Sequence, residues 1–192
     1  MLKPEIIESL SQHNILIERL AWIGKKKGFD FWVGYKEQTA IAKLGLLGTP
    51  GKQQRFDDLM SLKELVIDDV VDLDTVAEID VLWLDGNRVV AAFEVECTTT
   101  MTSALLRGSN LPASVPKYML IPEQRAKTFD SKKRSPLFAQ HFKEDNWGLI
   151  YFGTFEAKFQ EQKHKINLNE LINIRTPRTE IQQTHTQTKL FN

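Results

Sequence analysis

The sequence predicts an α/β protein: a mixed β-sheet of about four to five strands flanked by helices. Three observations lead there. An Asp85-Gly86-Asn87 turn lies between two apolar, β-rich runs, the strongest short-range signal for a hairpin. Further apolar runs of strand length fall at Phe29–Tyr35, Lys117–Ile121 and Gly148–Phe152. The segments between them carry apolar residues at three- and four-residue spacing or read as short helices, so strands and helices alternate.

In chain order, Lys3 to Lys26 reads as one helix or a broken pair, with Ile6, Ile7 and Leu10, then Ile15, Leu16, Leu20 and Ile23, forming the apolar stripe. Asn14 is a candidate cap for a second segment. Lys25, Lys26 and Lys27 suit the negative end of a helix dipole, and Gly28 suits its stop. Phe29–Tyr35 is the first strand, with Phe29, Phe31 and Val33 on one face. Residues 36–75 form an insertion with short helices expected at Thr39–Leu47 and Phe56–Val66. Within it, Gly48-Thr49-Pro50-Gly51-Lys52-Gln53 reads as a turn. A phosphate-binding loop needs glycine at Leu46 and Ser or Thr at Gln53.

After the hairpin, Thr98-Thr99-Thr100 is expected to cap a helix through Ser109, along which Arg107 faces a phosphate or pairs with an acid. Pro112 and Pro116 break the chain ahead of the strand Lys117–Ile121. Residues 122–134 read as a basic loop or short helix, Pro136–Phe142 as helical, and 148–152 as a core strand. Trp22, Trp32, Trp83 and Trp147 sit in apolar stretches and are expected in the core. Residues 1–175 are thus expected to form one domain, and 176–192 a polar, flexible, Gln/Thr-rich tail.

Composition narrows the class. A 42% hydrophobic fraction is enough for a sizeable core, and no run of ~18 apolar residues suggests a membrane span. The opening Met1-Leu2-Lys3-Pro4-Glu5 lacks the apolar stretch of a secretory signal. The lone Cys97 excludes an intramolecular disulfide and a cysteine-rich zinc site. A cytoplasmic protein is expected.

Carboxylates on the hairpin supply the chemistry. Glu94 and Glu96 are two residues apart on a strand and therefore share a face. A turn centred on Gly86-Asn87 pairs Asp85 with Arg88 and sets Asp80 opposite Phe93, one position from Glu94. A small change of register would bring Asp80 and Glu94 closer. Three acids that close repel one another, and a divalent cation removes that cost. Mg²⁺ or Mn²⁺ takes oxygen ligands, for which Asp80, Glu94 and the Val95 carbonyl are candidates. Glu96 is a further ligand, or holds and deprotonates a bound water. The competing reading is a solvated strand edge with alternating acids. His13, His141, His164 and His185 are scattered, without the spacing of a helical metal pair.

Ile79-Asp80, then a hairpin, then Glu94-Val95-Glu96 resembles the PD-(D/E)xK nuclease superfamily, in a variant with Glu96 where most members have lysine and no Pro before Asp80. Phe93-Glu94-Val95-Glu96 followed by Thr98-Thr99-Thr100 and Leu105-Leu106-Arg107 is similar to restriction-endonuclease-like proteins of bacteria and phages, a likeness running from about Ile15 to Phe155. The resemblance implies a restriction-endonuclease-like core, Mg²⁺ or Mn²⁺ as cofactor, DNA as substrate, and Glu18 near the metal from the preceding helix. It implies a metal-dependent endonuclease of restriction or phage defence. The alternative is a nuclease-fold subunit that binds DNA or a partner protein without cutting, within a multi-subunit system. A plain structural domain with incidental acids is the third reading.

Formal net charge is zero, so phosphate contacts require segregated charge. Lys25, Lys26 and Lys27 in one cluster, and Arg125, Lys127, Lys132, Lys133 and Arg134 in another, are the candidate grips; each cluster also reads as solvated loop charge. Cutting a duplex takes two sites, which makes a homodimer the economical assembly.

Overall fold

A computed structural model describes residues 4–38, 67, 72–97, 101–136, 138, 139, 142, 147–172 and 174–175. Its first element, α1 (Pro4–Lys26), is one continuous helix. The break considered at Asn14 does not occur. Leu16, Ile17, Leu20, Ala21 and Ile23 are buried beyond it, and Asn14 is itself buried in mid-helix. Extending a helix gains a backbone bond per residue while a second helix needs a new nucleus, so continuity wins where the apolar stripe runs on. The helix stops at Gly28, whose φ is +87°. There the Gly28 N–H donates to the Lys25 carbonyl and the Phe29 N–H to the Gly24 carbonyl, each at 3.1 Å, closing a Schellman motif.

Six strands form one sheet in sequence order: β1 (Asp30–Val33), β2 (Val81–Asp85), β3 (Arg88–Val95), β4 (Lys117–Ile121), β5 (Trp147–Tyr151) and β6 (Ile174–Arg175). The first five match the runs read from sequence. The sixth exceeds the expected number; it is a two-residue edge strand, too short to leave a pattern. Pairing is antiparallel from β1 to β3, parallel from β3 to β5, and antiparallel at β6. Parallel neighbours require crossovers. Among the described residues those connections hold α3 (Met101–Gly108) between β3 and β4 and α4 (Ala126–Arg134) between β4 and β5, with residues 136, 138, 139 and 142 also helical, as expected there. The segment left open between loop and helix is therefore helical. The single turn α2 (Leu73–Val76) leads toward β2, capped by Asp72, which accepts from the Thr75 N–H at 3.0 Å. Phe152, counted into a strand from sequence, instead opens α5 (Phe152–Gln162), and α6 (Leu168–Leu171) follows. The expected helices at 39–47 and 56–66, the turn at 48–53, the cap at 98–100 and the tail 176–192 lie outside the described residues.

Alternation divides the sheet into two apolar faces. Phe31, Val33, Val81, Trp83, Phe93, Val95, Tyr118, Leu120 and Ile150 pack with Leu16, Ile17 and Leu20 of α1 and Phe155 of α5. Leu82 and Ala92 face the other way with Trp32, Val76 and Ile79, and Met119, Ile121 and Leu149 pack with Met101, Leu105 and Phe129. Trp32, Trp83 and Trp147 are buried, and Trp22 is packed against the first core, in keeping with the core reading. The Trp83 indole N–H donates to the Leu20 carbonyl at 2.9 Å. Gly24 permits that approach, because a Cβ there would stand 2.5 Å from Trp83 Nε1. Among the described residues, no helix is long and apolar enough to cross a membrane.

Candidate functional site

The hairpin places its acids through a bulge. Asp85 pairs with Arg88 and Leu84 with Val89, as the turn geometry predicts; Gly86 supplies the required φ of +58°. Between Leu84 and Trp83 the register shifts, leaving Val90 as the extra residue, and pairing resumes with Trp83 opposite Ala91 and Val81 opposite Phe93. One further step in that register sets Asp80 across from Glu94. The small shift that sequence geometry allowed is therefore present.

Asp80, Glu94 and Glu96 are 4%, 1% and 4% exposed, which excludes the solvated-edge reading for all three. Backbone hydrogen bonds pin Asp80 and Glu96. The Val95 N–H donates to Asp80 Oδ2 at 2.7 Å, and the Glu96 N–H donates to the Leu120 carbonyl at 2.9 Å. Val95, expected to act through its carbonyl, thus meets Asp80 through its N–H, while its side chain lies in the core with α1.

Buried carboxylates need counter-charge, and two arginines provide it. Arg107, on α3, forks onto Glu94: its Nε donates to Oε1 at 2.8 Å and an Nη donates to Oε2. The same Nη lies 4.0 Å from Asp80 Oδ1. Of the two roles read for Arg107, the structure shows the acid pair. Burial pushes the Glu94 carboxyl well above the ordinary range, and the Asp80 charge pushes the same way against Arg107. Burial opposes charge on Arg107 as well, but the bonds and charge of Glu94 carry its pKa above the ordinary value. Arg125 Nη1 donates to the Glu96 carbonyl at 3.1 Å and lies 3.9 Å from Glu96 Oε2. The three buried acids thus share two guanidinium groups, Arg107 beside Glu94 and Asp80 and Arg125 beside Glu96.

A second group was missed in the sequence. His13 Nε2 lies 3.5 Å from Asp80 Oδ2, and His13, Glu37 and Asp80 each present a ligand atom within 4.8 Å of the others. Burial works against charge on His13, but the hydrogen bond and charge of Asp80, with Glu37 and Asn14 behind it, raise its pKa above the ordinary value. Burial and then the Asp80 charge push the Glu37 carboxyl up to about 7. The available signal was the polar pair His13-Asn14, three residues ahead of Leu16 and Ile17 on the stripe α1 turns inward. Nothing local points to Glu37, which lies in the helical residues 35–38 after β1.

The remaining candidates are spread out. Glu18 is buried on α1, about one turn beyond Asn14. Lys25, Lys26 and Lys27 are exposed at the far end of that helix, about 18 Å along the axis from His13 at a rise of ~1.5 Å per residue. They are not brought to the acids. Lys132 donates to the Thr102 hydroxyl at 3.0 Å and lies over the Phe138 ring, holding α4 to α3. Lys127 and Arg134 are exposed on α4 and Lys133 is half-buried.

Residues 3–143 match the family described as the type II restriction enzyme NmeDI C-terminal domain. No curated protein and no solved structure matches the chain.

Proposed function

The chain belongs to the family of the type II restriction enzyme NmeDI C-terminal domain, and from that premise we propose that it is a metal-dependent endonuclease of the PD-(D/E)xK type, hydrolysing DNA phosphodiesters in restriction or phage defence. The observation that carries this reading is the clustering of buried Asp80, Glu94 and Glu96, with Arg107 on the first two and Arg125 on the third. Asp80 and Glu94 would hold Mg²⁺ or Mn²⁺, which when bound polarises the scissile phosphate and lowers the pKa of its water. Glu96 orients that water and takes its proton, standing where most of the superfamily has lysine. Arg107 balances Glu94 until a cation is bound and is then free to meet the phosphate, a bidentate partner for a guanidinium. Arg125, held on the Glu96 carbonyl, places a second positive charge beside the water-activating group. The exposed cations of α4 extend this side toward the DNA backbone, fixing register without reading sequence. A homodimer, or other subunits of a restriction system, would supply the second strand's site.

The Arg107 fork also favours a second reading, a DNA- or partner-binding subunit in which the arginine permanently replaces the metal. Cleavage separates the two. Supercoiled and linear DNA are incubated with wild type, Glu94→Ala and Glu96→Ala in Mg²⁺ and separately in Mn²⁺. Metal-dependent cutting lost in both variants supports the nuclease. Salt-dependent DNA binding without cutting under either ion supports the subunit.

A further inference from the structure

We propose that His13, Glu37 and Asp80 form a cation site distinct from the Glu94–Glu96 pair, selective for an ion that accepts imidazole, such as Mn²⁺, over Mg²⁺. It goes beyond the nuclease reading, with which it shares only Asp80. Four observations carry it. Three ligand atoms of mixed type converge within 4.8 Å from α1, the helical residues 35–38 after β1 and the residue just ahead of β2. Glu37 Oε2 is shut off from solvent and has no hydrogen-bond partner among the described residues. Such an orphaned buried oxygen is costly unless an ion or proton meets it.

The surroundings are built to hold these groups. Gly34 leaves the space that Glu37 occupies: a Cβ there would lie 2.6 Å from Glu37 Oε2 and 2.9 Å from the Ile79 carbonyl. The Gly34 N–H donates to the Asp80 carbonyl at 3.2 Å, tying the start of the segment that carries Glu37 to the residue it must meet. Asn14, 3% exposed, sets its Oδ1 3.5 Å from His13 Nδ1, and its Nδ2 has no partner among the described residues. On the other side of the ring Nε2 stands 3.5 Å from Asp80 Oδ2, a gap bridged by a proton on Nε2 in the metal-free protein and by the ion when one is bound. An imidazole nitrogen, oriented by a carboxamide on its other nitrogen and joined by two carboxylates, suits Mn²⁺ and its neighbours better than Mg²⁺.

The test is Mn²⁺ and Mg²⁺ titration of the tag-free full chain by calorimetry, with pulsed EPR of the Mn²⁺ complex. Wild type should bind Mn²⁺ more tightly than Mg²⁺ and show nitrogen coupling from an imidazole. His13→Gln should remove that coupling, and His13→Gln and Glu37→Gln should each weaken Mn²⁺ at least as much as Asn14→Ala, for which about 10–100-fold is expected of an orienting residue. Glu94→Gln should leave the nitrogen coupling in place. A wild-type Mn²⁺ complex without nitrogen coupling overturns the proposal regardless of how any variant folds. So does affinity that survives both His13→Gln and Glu37→Gln but is lost in Glu94→Gln, a result that leaves the carboxylate nuclease site standing. DNA cleavage failing while the nitrogen-coupled Mn²⁺ complex forms sinks the nuclease and keeps this site.

Discussion

Replacing Arg107 with Met leaves Glu94, 1% exposed, with its main counter-charge gone and Asp80 still beside it. Removing one partner of a buried pair typically costs ~3–5 kcal/mol. Protonation sets a ceiling here. Keeping a carboxyl neutral at pH 7 from a starting pKa of 4.5 costs about 1.36 kcal/mol per unit, or roughly 3.4 kcal/mol. Arg107→Met should therefore lose at most about 3 kcal/mol at pH 7, or roughly 6–12 °C of Tm for a chain of this size. The sign follows from the direction of the shift. Glu94 already has a raised folded-state pKa, so its ionisation removes stability as pH rises above 4.5; without Arg107 that pKa rises further and the deficit widens. Thermal melts in EDTA at pH 4 and pH 7 measure this. The deficit should be much smaller at pH 4, and the double variant Arg107→Met/Glu94→Gln should recover most of it at pH 7. A deficit equal at both pH values, or a double variant as unstable as the sum of the singles, would refute the electrostatic account and leave lost packing as the cause. Mg²⁺ or Mn²⁺ should raise the Tm of Arg107→Met more than that of wild type, since Glu94 and Asp80 then lack their guanidinium partner.

Three other outcomes follow from particular contacts. Because the Glu37 carboxyl is pushed from 4.5 to about 7, metal-free wild type should lose stability as pH rises through that window, and Glu37→Gln should flatten the curve in denaturant titrations. Gly24→Ala drives a Cβ to 2.5 Å from Trp83 Nε1, so it should cost ~1–3 kcal/mol and shift tryptophan emission as α1 lifts from the sheet; unchanged emission and Tm would count against that packing. Trp83→Phe removes the bond to the Leu20 carbonyl and should cost ~1–3 kcal/mol by urea denaturation, since an acceptor is left buried without its donor.

Much of this molecule is legible locally. Period-two alternation in Arg88–Val95, with Gly86 at the turn, already puts Glu94 and Glu96 on one side, because strand geometry is set by the backbone whatever lies around it. The same holds for the strand at Lys117–Ile121 and for the glycine that ends α1. What the tertiary structure decided is every relation between distant segments. The bulge at Val90 turns a near miss between Asp80 and Glu94 into opposition, and it lies beside Trp83, which packs on Phe93 and Phe29 and bonds to α1. Arg107 had two local readings, phosphate or acid; only the packing of α3 over the face that carries Glu94 chose the acid. His13 and Glu37 reach Asp80 from segments far apart in sequence, brought there by the apolar stripe of α1 and the pairing of β1 with β2. Backbone periodicity says which residues share a face, whereas the partner across that face is set by where whole elements bury their apolar area, a sum over many residues that no single spacing records.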